Sequence, residues 1–174
     1  IKLLPAANYM NLSLINNNLK QRQYWDFNYE EDTNIKSEND YIEELTYLLN
    51  QSVSRQLMSD VEIGSYLSGG MDSGSIASIA SSQIDYLKTF TCGFDLSSAS
   101  GLELAFDERK KAEFLSNQFK TEHYDIVLKA GDMERVMDKL IWHLEDPRVG
   151  QSYPNYYVSK LASKFVKVVL SGAG

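Results

Sequence analysis

An α/β fold, a parallel sheet flanked by helices with an antiparallel hairpin ahead of it, is predicted by three observations. Apolar segments at 61–67, 87–94, 123–128 and 166–170 alternate with helical stretches. Helices of about 10–15 residues between strands are the pattern of βαβ units. The strand segments are nearly continuous apolar rather than alternating, as strands covered on both faces are. The segment Val61–Leu67 runs through Ser68-Gly69-Gly70-Met71-Asp72 into a small-residue helix.

In order along the chain, residues 1–27 alternate polar and apolar residues about Asn16-Asn17-Asn18 and predict a β-hairpin, with Tyr9, Leu12 and Leu14 in one arm and Tyr24, Trp25 and Phe27 in the other. Residues 28–37 are polar and acidic, a linker. A helix is expected from Ser37 or Asn39, with Ile42, Leu45, Leu48, Leu49 and Val53 on one stripe and Ser37 with Asp40 as a capping box. Val61–Leu67 is a buried strand, and a helix follows from Ser73 to near Gln83. Leu87–Phe94 is the second buried strand and 97–101 a small-residue loop. Asp107–Lys120 is an amphipathic helix with Ala112, Leu115 and Phe119 on one face. His123–Leu128 is a third strand and Asp132–Leu144 a helix that Pro147 prevents from continuing. Tyr153–Lys164 and Val166–Leu170 are the last helix and strand.

The 174 residues suffice for one α/β domain, and 43% hydrophobic with 24% charged residues is ordinary globular composition. A net charge of −7 argues against general nucleic-acid binding and against anionic membrane surfaces. No apolar run approaches the ~20 residues of a membrane span. One cysteine, Cys92, excludes an internal disulfide and fits a cytoplasmic protein. The chain opens without Met and stops inside a glycine turn after an apolar strand, so a fragment of a longer protein is expected. Exposed apolar surface and self-association are expected with it.

Strand, glycine turn and helix start form an anion site. The first amides of a helix lack intrahelical acceptors, and the helix dipole adds positive potential there. Gly69 and Gly70 have no Cβ, so the backbone can approach a phosphate closely. Ser68 and Ser73 bring hydroxyl donors. Asp72 would repel a phosphate unless a divalent cation lay between them, and Mg²⁺ takes carboxylate and phosphate oxygens together. Taken singly, Gly-Gly is also a plain turn and Asp72 or Ser73 a plain N-cap. The segment lacks the Lys-Ser or Lys-Thr of a Walker A loop, and it is not GxGxxG. In a parallel sheet ligands bind beyond the carboxyl ends of the strands, which gathers Leu67–Ser73, Gly93–Phe94 and Ser171–Gly174 around one crevice.

Ser68-Gly69-Gly70-Met71-Asp72-Ser73 resembles the SGGxDS pyrophosphate (PP) loop of the ATP pyrophosphatases. Within that superfamily the chain resembles the synthetase domain of the glutamine-hydrolysing asparagine synthetases, and the likeness covers nearly all of it. Thr89–Phe94 is similar to the family's adenine-lining strand, Asp107-Glu108 with Ala112 to its "DE…A" helix start, Thr121-Glu122-His123-Tyr124 to its "teHhe", and Leu170–Gly174 to the opening of "LSGxGxDE". Ile1–Met10 and Tyr24-Trp25-Asp26 resemble the segments that close the preceding glutaminase domain, with Ala6-Ala7 in place of Pro-Gly. The implied fold is Rossmann-like, of the adenine nucleotide alpha hydrolase type. The implied domains are 1–36, hairpin and linker from the end of a glutaminase-type domain, and 37–174, the N-terminal part of the synthetase domain.

The resemblance implies ATP and Mg²⁺ as cofactors. Ser68, Gly69, Gly70 and Ser73 would cradle the β,γ-phosphates, Asp72 would ligate Mg²⁺, and Leu67 and Cys92 would contact adenosine. Ser171 and Gly172 would approach the nucleotide or the acyl-adenylate, and no catalytic residue is assigned. The implied reaction joins aspartate and ammonia from glutamine at the cost of ATP, giving asparagine, glutamate, AMP and pyrophosphate through β-aspartyl-AMP. The glutaminase domain of a full-length chain would supply the ammonia, and the family allows a homodimer. Ala173 departs from the Glu or Asp frequent there, and Gly74 from a frequent second Ser. Ala173 keeps open a relative that adenylates another carboxylate, β-lactam synthetase-like or a polysaccharide or peptide amidotransferase. The lack of the family's downstream acidic and lysine residues keeps open a nucleotide-binding module without catalysis.

Other polar residues have plainer expectations. His123 is structural, and His143 stabilises a helix end. Glu145-Asp146 are cation ligands or a solvated turn. Cys92 is a small buried residue. Arg109-Lys110-Lys111 is a solvated helix face.

Overall fold

The computed structural model describes residues 2–30, 35–97, 107–146 and 150–172. It separates into two compact units, Ile1–Tyr41 and Ile42–Gly174.

In the first unit, β1 (Asn8–Leu12) pairs antiparallel with β2 (Leu19–Gln23), from Asn8↔Gln23 to Leu12↔Leu19. The asparagine tip forms as expected. Asn17 takes a left-handed φ of 52°, which Asn tolerates, and the Asn18 amide donates to Asn16 Oδ1 at 3.1 Å. Tyr24, Trp25 and Phe27 lie beyond β2 and not within it. The ladder stops because Ala7 turns to φ 53°, although its carbonyl still accepts from the Tyr24 amide. Trp25 and Phe27 then meet edge to face at 4.5 Å.

Helix α1 (Glu38–Gln56) opens on the expected capping box. The Asp40 amide donates to Ser37 Oγ at 3.2 Å, and the Ser37 amide and hydroxyl donate to Asp40 Oδ2 at 3.0 and 2.8 Å. Those bonds hold the Asp40 carboxyl below its usual range. The apolar stripe is buried only toward its C-terminal end. Val53 and Leu49 pack with Ala80 and Leu87, whereas Ile42 is 54% and Leu45 66% exposed.

The second unit continues through β3 (Ile63–Tyr66), α2 (Met71–Ser81), β4 (Lys88–Phe94), α3 (Arg109–Phe119), β5 (Glu122–Leu128), α4 (Asp132–Leu144), α5 (Ser152–Ala162) and β6 (Val168–Leu170). The sheet order is β5-β4-β3-β6, and every pair is parallel. The chain steps from β3 through β4 to β5, then returns to the other side of β3. The carboxyl ends of β3 and β6 are therefore a topological switch point, where open α/β sheets bind ligands.

Helices cover both faces of the sheet, as parallel strands require. On one face Leu67, Ala77 and Ala112 pack together, so that α2 and α3 meet over the end of β3. On the other, Phe90 packs with Val158, Ala162 and Val166, and its ring stacks on Tyr124 at 5.7 Å. Ser65 and Thr89 are fully buried. Thr89 Oγ1 lies 2.9 Å from both Thr121 Oγ1 and His123 Nδ1, and Thr121 donates to Ser116 Oγ at 2.8 Å. This polar chain satisfies its own members across β4, β5 and α3. Among the described residues no helix is long and apolar enough to cross a membrane. The sequence-based expectations for Pro147, Arg148, Ala173, Gly174 and residues 98–101 fall outside the described residues.

Candidate functional site

β3 ends at Tyr66, and its continuation is tied to β4. The Leu67 amide donates to the Phe90 carbonyl at 2.9 Å, and Thr91 Oγ1 donates to the Leu67 carbonyl. From this anchor the chain turns through Gly69, at φ 79°, into α2. That conformation is strained for residues with a Cβ. A Cβ on Gly69 would also meet Lys111 Cβ at 2.4 Å and the Ala112 amide nitrogen at 3.1 Å.

The N-cap of α2 is Gly70, with no side-chain cap. The amides of Met71, Asp72 and Ser73 occupy the first turn, where a helix supplies no acceptors of its own. The two serines organise the loop between them. Ser73 is 8% exposed. Its Oγ accepts from the Ser68 amide at 3.1 Å and lies 2.9 Å from Ser68 Oγ. One hydroxyl donates to the other, so at most one is left to donate outward. The expected pair of phosphate donors is thus partly engaged within the loop.

The end of β6 closes over this turn. Ser171 is exposed. A Cβ on Gly172 would stand 2.8 Å from the Ser73 amide nitrogen, so only glycine allows this approach. The structure thereby brings Ser68, Gly69, Gly70, Asp72, Ser73 and Gly172 together. Leu67 and Cys92 stand on neighbouring strands, but their side chains join different clusters. Leu67 is 1% exposed and packs against α2 and α3, while Cys92 packs with the Phe90 cluster under α5. Leu67 supports the loop from beneath and offers no side-chain surface to a ligand. Burial pushes the Cys92 thiol up to about 12, which makes it unreactive at neutral pH.

Arg109 corrects the expectation of a solvated basic face. Its Nε donates to Asp107 Oδ1 at 2.7 Å, and its Nη2 donates to Asp107 Oδ2 at 3.0 Å and to the Phe94 carbonyl at 2.9 Å. This fork holds the Asp107 carboxyl below its usual range and clamps the start of α3 to the end of β4. A Cβ on Gly93 would collide with it, 2.4 Å from Arg109 Cδ. The Thr91 bond to the Leu67 carbonyl and the Asp107–Arg109 pairing are not among the sequence-based expectations, and the Asp-x-Arg spacing signals only the second. Gly74 faces α3, where a Cβ would lie 3.3 Å from Leu115 Cδ1.

A divalent cation fits this donor set in one way. Asp72 is exposed in the first turn of α2. Among the described residues no three His, Cys, Asp or Glu side chains gather to hold a metal. Mg²⁺ typically keeps several waters and is bound through one or two carboxylates with phosphate oxygens. Asp72 therefore suits a cation that arrives with a nucleotide.

The fold and this loop define an α/β domain built around a strand–turn–helix whose first helical amides have no side-chain cap. The chain belongs to the asparagine synthase family, whose profile matches residues 44–174. It is 38% identical over 136 residues to a Methanocaldococcus jannaschii protein provisionally named a glutamine-hydrolyzing asparagine synthetase, covering 76% of this chain and 25% of that protein. It is 33% identical over 142 residues to glutamine-hydrolyzing asparagine synthetase 1 of Bacillus subtilis, covering 80% of this chain and 21% of that one. The chain thus spans about a quarter or less of these relatives. An ammonia-dependent NAD synthetase structure from Campylobacter jejuni superposes on 76% of this chain and 56% of its own, with a TM-score of 0.46 and 13% identity.

Proposed function

We propose that this chain forms the ATP-binding part of an asparagine synthetase that activates the side-chain carboxylate of aspartate as an acyl-adenylate. Support comes chiefly from one arrangement: the Ser68–Ser73 turn, uncapped at the switch point and closed by Gly172. The free amides of the first turn of α2 and one serine hydroxyl bind the β,γ-phosphates. Asp72 would hold the Mg²⁺ that a nucleotide carries, and the cation would supply neutralising charge to the pyrophosphate. Ser171 and Gly172 border the α-phosphate, where the carboxylate attacks. The residues of this chain bind and orient, and positioning with preorganised donors accounts for much of such catalysis. Ammonia from a glutaminase domain of the full-length protein then displaces AMP. Residues 1–36 would be the end of that domain and its linker. The lone cysteine supports a cytoplasmic setting.

Isotope exchange between pyrophosphate and ATP tests this directly. Exchange that requires aspartate and Mg²⁺ is the expected result. Exchange with a different carboxylate and not with aspartate moves the protein to a β-lactam synthetase-like or amidotransferase-like relative. ATP binding without exchange for any carboxylate leaves a nucleotide-binding module.

A further inference from the structure

The basic run that opens α3 divides into residues with different surroundings. Arg109 is engaged by Asp107 and the Phe94 carbonyl. Lys111 instead rests on the turn itself, since a Cβ on Gly69 would lie 2.4 Å from Lys111 Cβ and 3.2 Å from the Lys111 carbonyl carbon. The Lys111 side chain is exposed and has no ion-pair partner among the described residues. In an α-helix the Cα–Cβ bond tilts toward the N-terminus. For α3 that is the end held at Gly93 by Arg109, at the carboxyl edge of the sheet.

The segment Ser68–Ser73 contains no cation, and its charged member, Asp72, is acidic. Three or four phosphate charges brought to this turn would meet helix amides, one carboxylate and whatever positive charge lies within reach. Lysine carries a compact charge on a flexible four-carbon stem, well suited to a phosphate oxygen whose direction is not fixed. We propose that Lys111 is a phosphate-binding residue of this site, facing the β,γ-phosphates of the nucleotide and the pyrophosphate formed from them. It stands on the neighbouring helix in the place of a loop lysine. This rests on Ser68–Ser73 being the pyrophosphate loop.

Binding of MgATP, Mg-pyrophosphate and AMP to the wild type, Lys111→Gln and Lys111→Arg separates the alternatives. Lys111→Gln keeps an unbranched polar side chain, one atom shorter, and a similar helix propensity, and removes the charge. It should weaken ATP and pyrophosphate about five- to tenfold and leave AMP within about twofold, with the gap narrowing at high salt. Lys111→Arg should restore most of the loss. Equal pyrophosphate affinity in the wild type and Lys111→Gln overturns the role of Lys111, while Asp72→Ala still reports on the loop. A wild type that binds neither ATP nor pyrophosphate overturns the loop assignment, and the role of Lys111 falls with it.

Discussion

Gly172 lies against the first turn of α2, where an added Cβ would stand 2.8 Å from the Ser73 amide nitrogen and 3.1 Å from Ser73 Cα. Both neighbours are backbone and cannot rotate aside. The contact joins the segment after β6 to the first turn of α2 at the switch point.

Gly172→Ala must therefore push the two segments apart. Overpacking of this kind costs about 1–3 kcal/mol, and here it falls on the relative position of the segments that would grip the nucleotide. The variant should bind ATP about tenfold more weakly. A calorimetric titration that returns the wild-type affinity would show that the approach of Gly172 is immaterial to binding.

Acid stability should depend on His123. Burial lowers its pKa below the usual 6.5, and the nearby Asp125 and Glu113 carboxylates offset this only in part. The native ring bonds Thr89 Oγ1 through Nδ1 at 2.9 Å. The unfolded chain takes up a proton near 6.5, and the native state takes it up only at lower pH. The contribution is full above 6.5 and is lost as pH falls from there through the native value. Between about pH 7.5 and 5.5 the wild type should lose more stability than His123→Gln, read as the shift of urea midpoint. Parallel losses would mean that the ring titrates normally in the fold.

Much of this molecule was legible because its signals are local. The Ser37/Asp40 box, the asparagine tip and the glycine turn at Ser68–Ser73 each depend on residues a few positions apart, and each forms where expected. The parallel sheet followed from the alternation of apolar strands with helices. What escaped depends on contacts distant in sequence. Arg109 looks solvated in a run of three basic residues until the chain returns it to the Phe94 carbonyl. The side of the sheet on which Leu67 and Cys92 pack is likewise not visible in the sequence. Which face each takes depends on strand twist and register, and they pack on opposite sides of the sheet. The α1 stripe marked a helix correctly, but Ile42 and Leu45 find no cover in the unit that buries Val53.

The most direct test of the nucleotide site is a calorimetric titration of the chain with MgATP, beside GTP and the Asp72→Ala variant. ATP should bind with a Kd between about micromolar and millimolar, ahead of GTP, and Asp72→Ala should weaken it in the presence of Mg²⁺. A folded chain that takes up no ATP, or an Asp72→Ala variant that binds MgATP as the wild type does, would contradict the assignment of Ser68–Ser73 as a pyrophosphate loop.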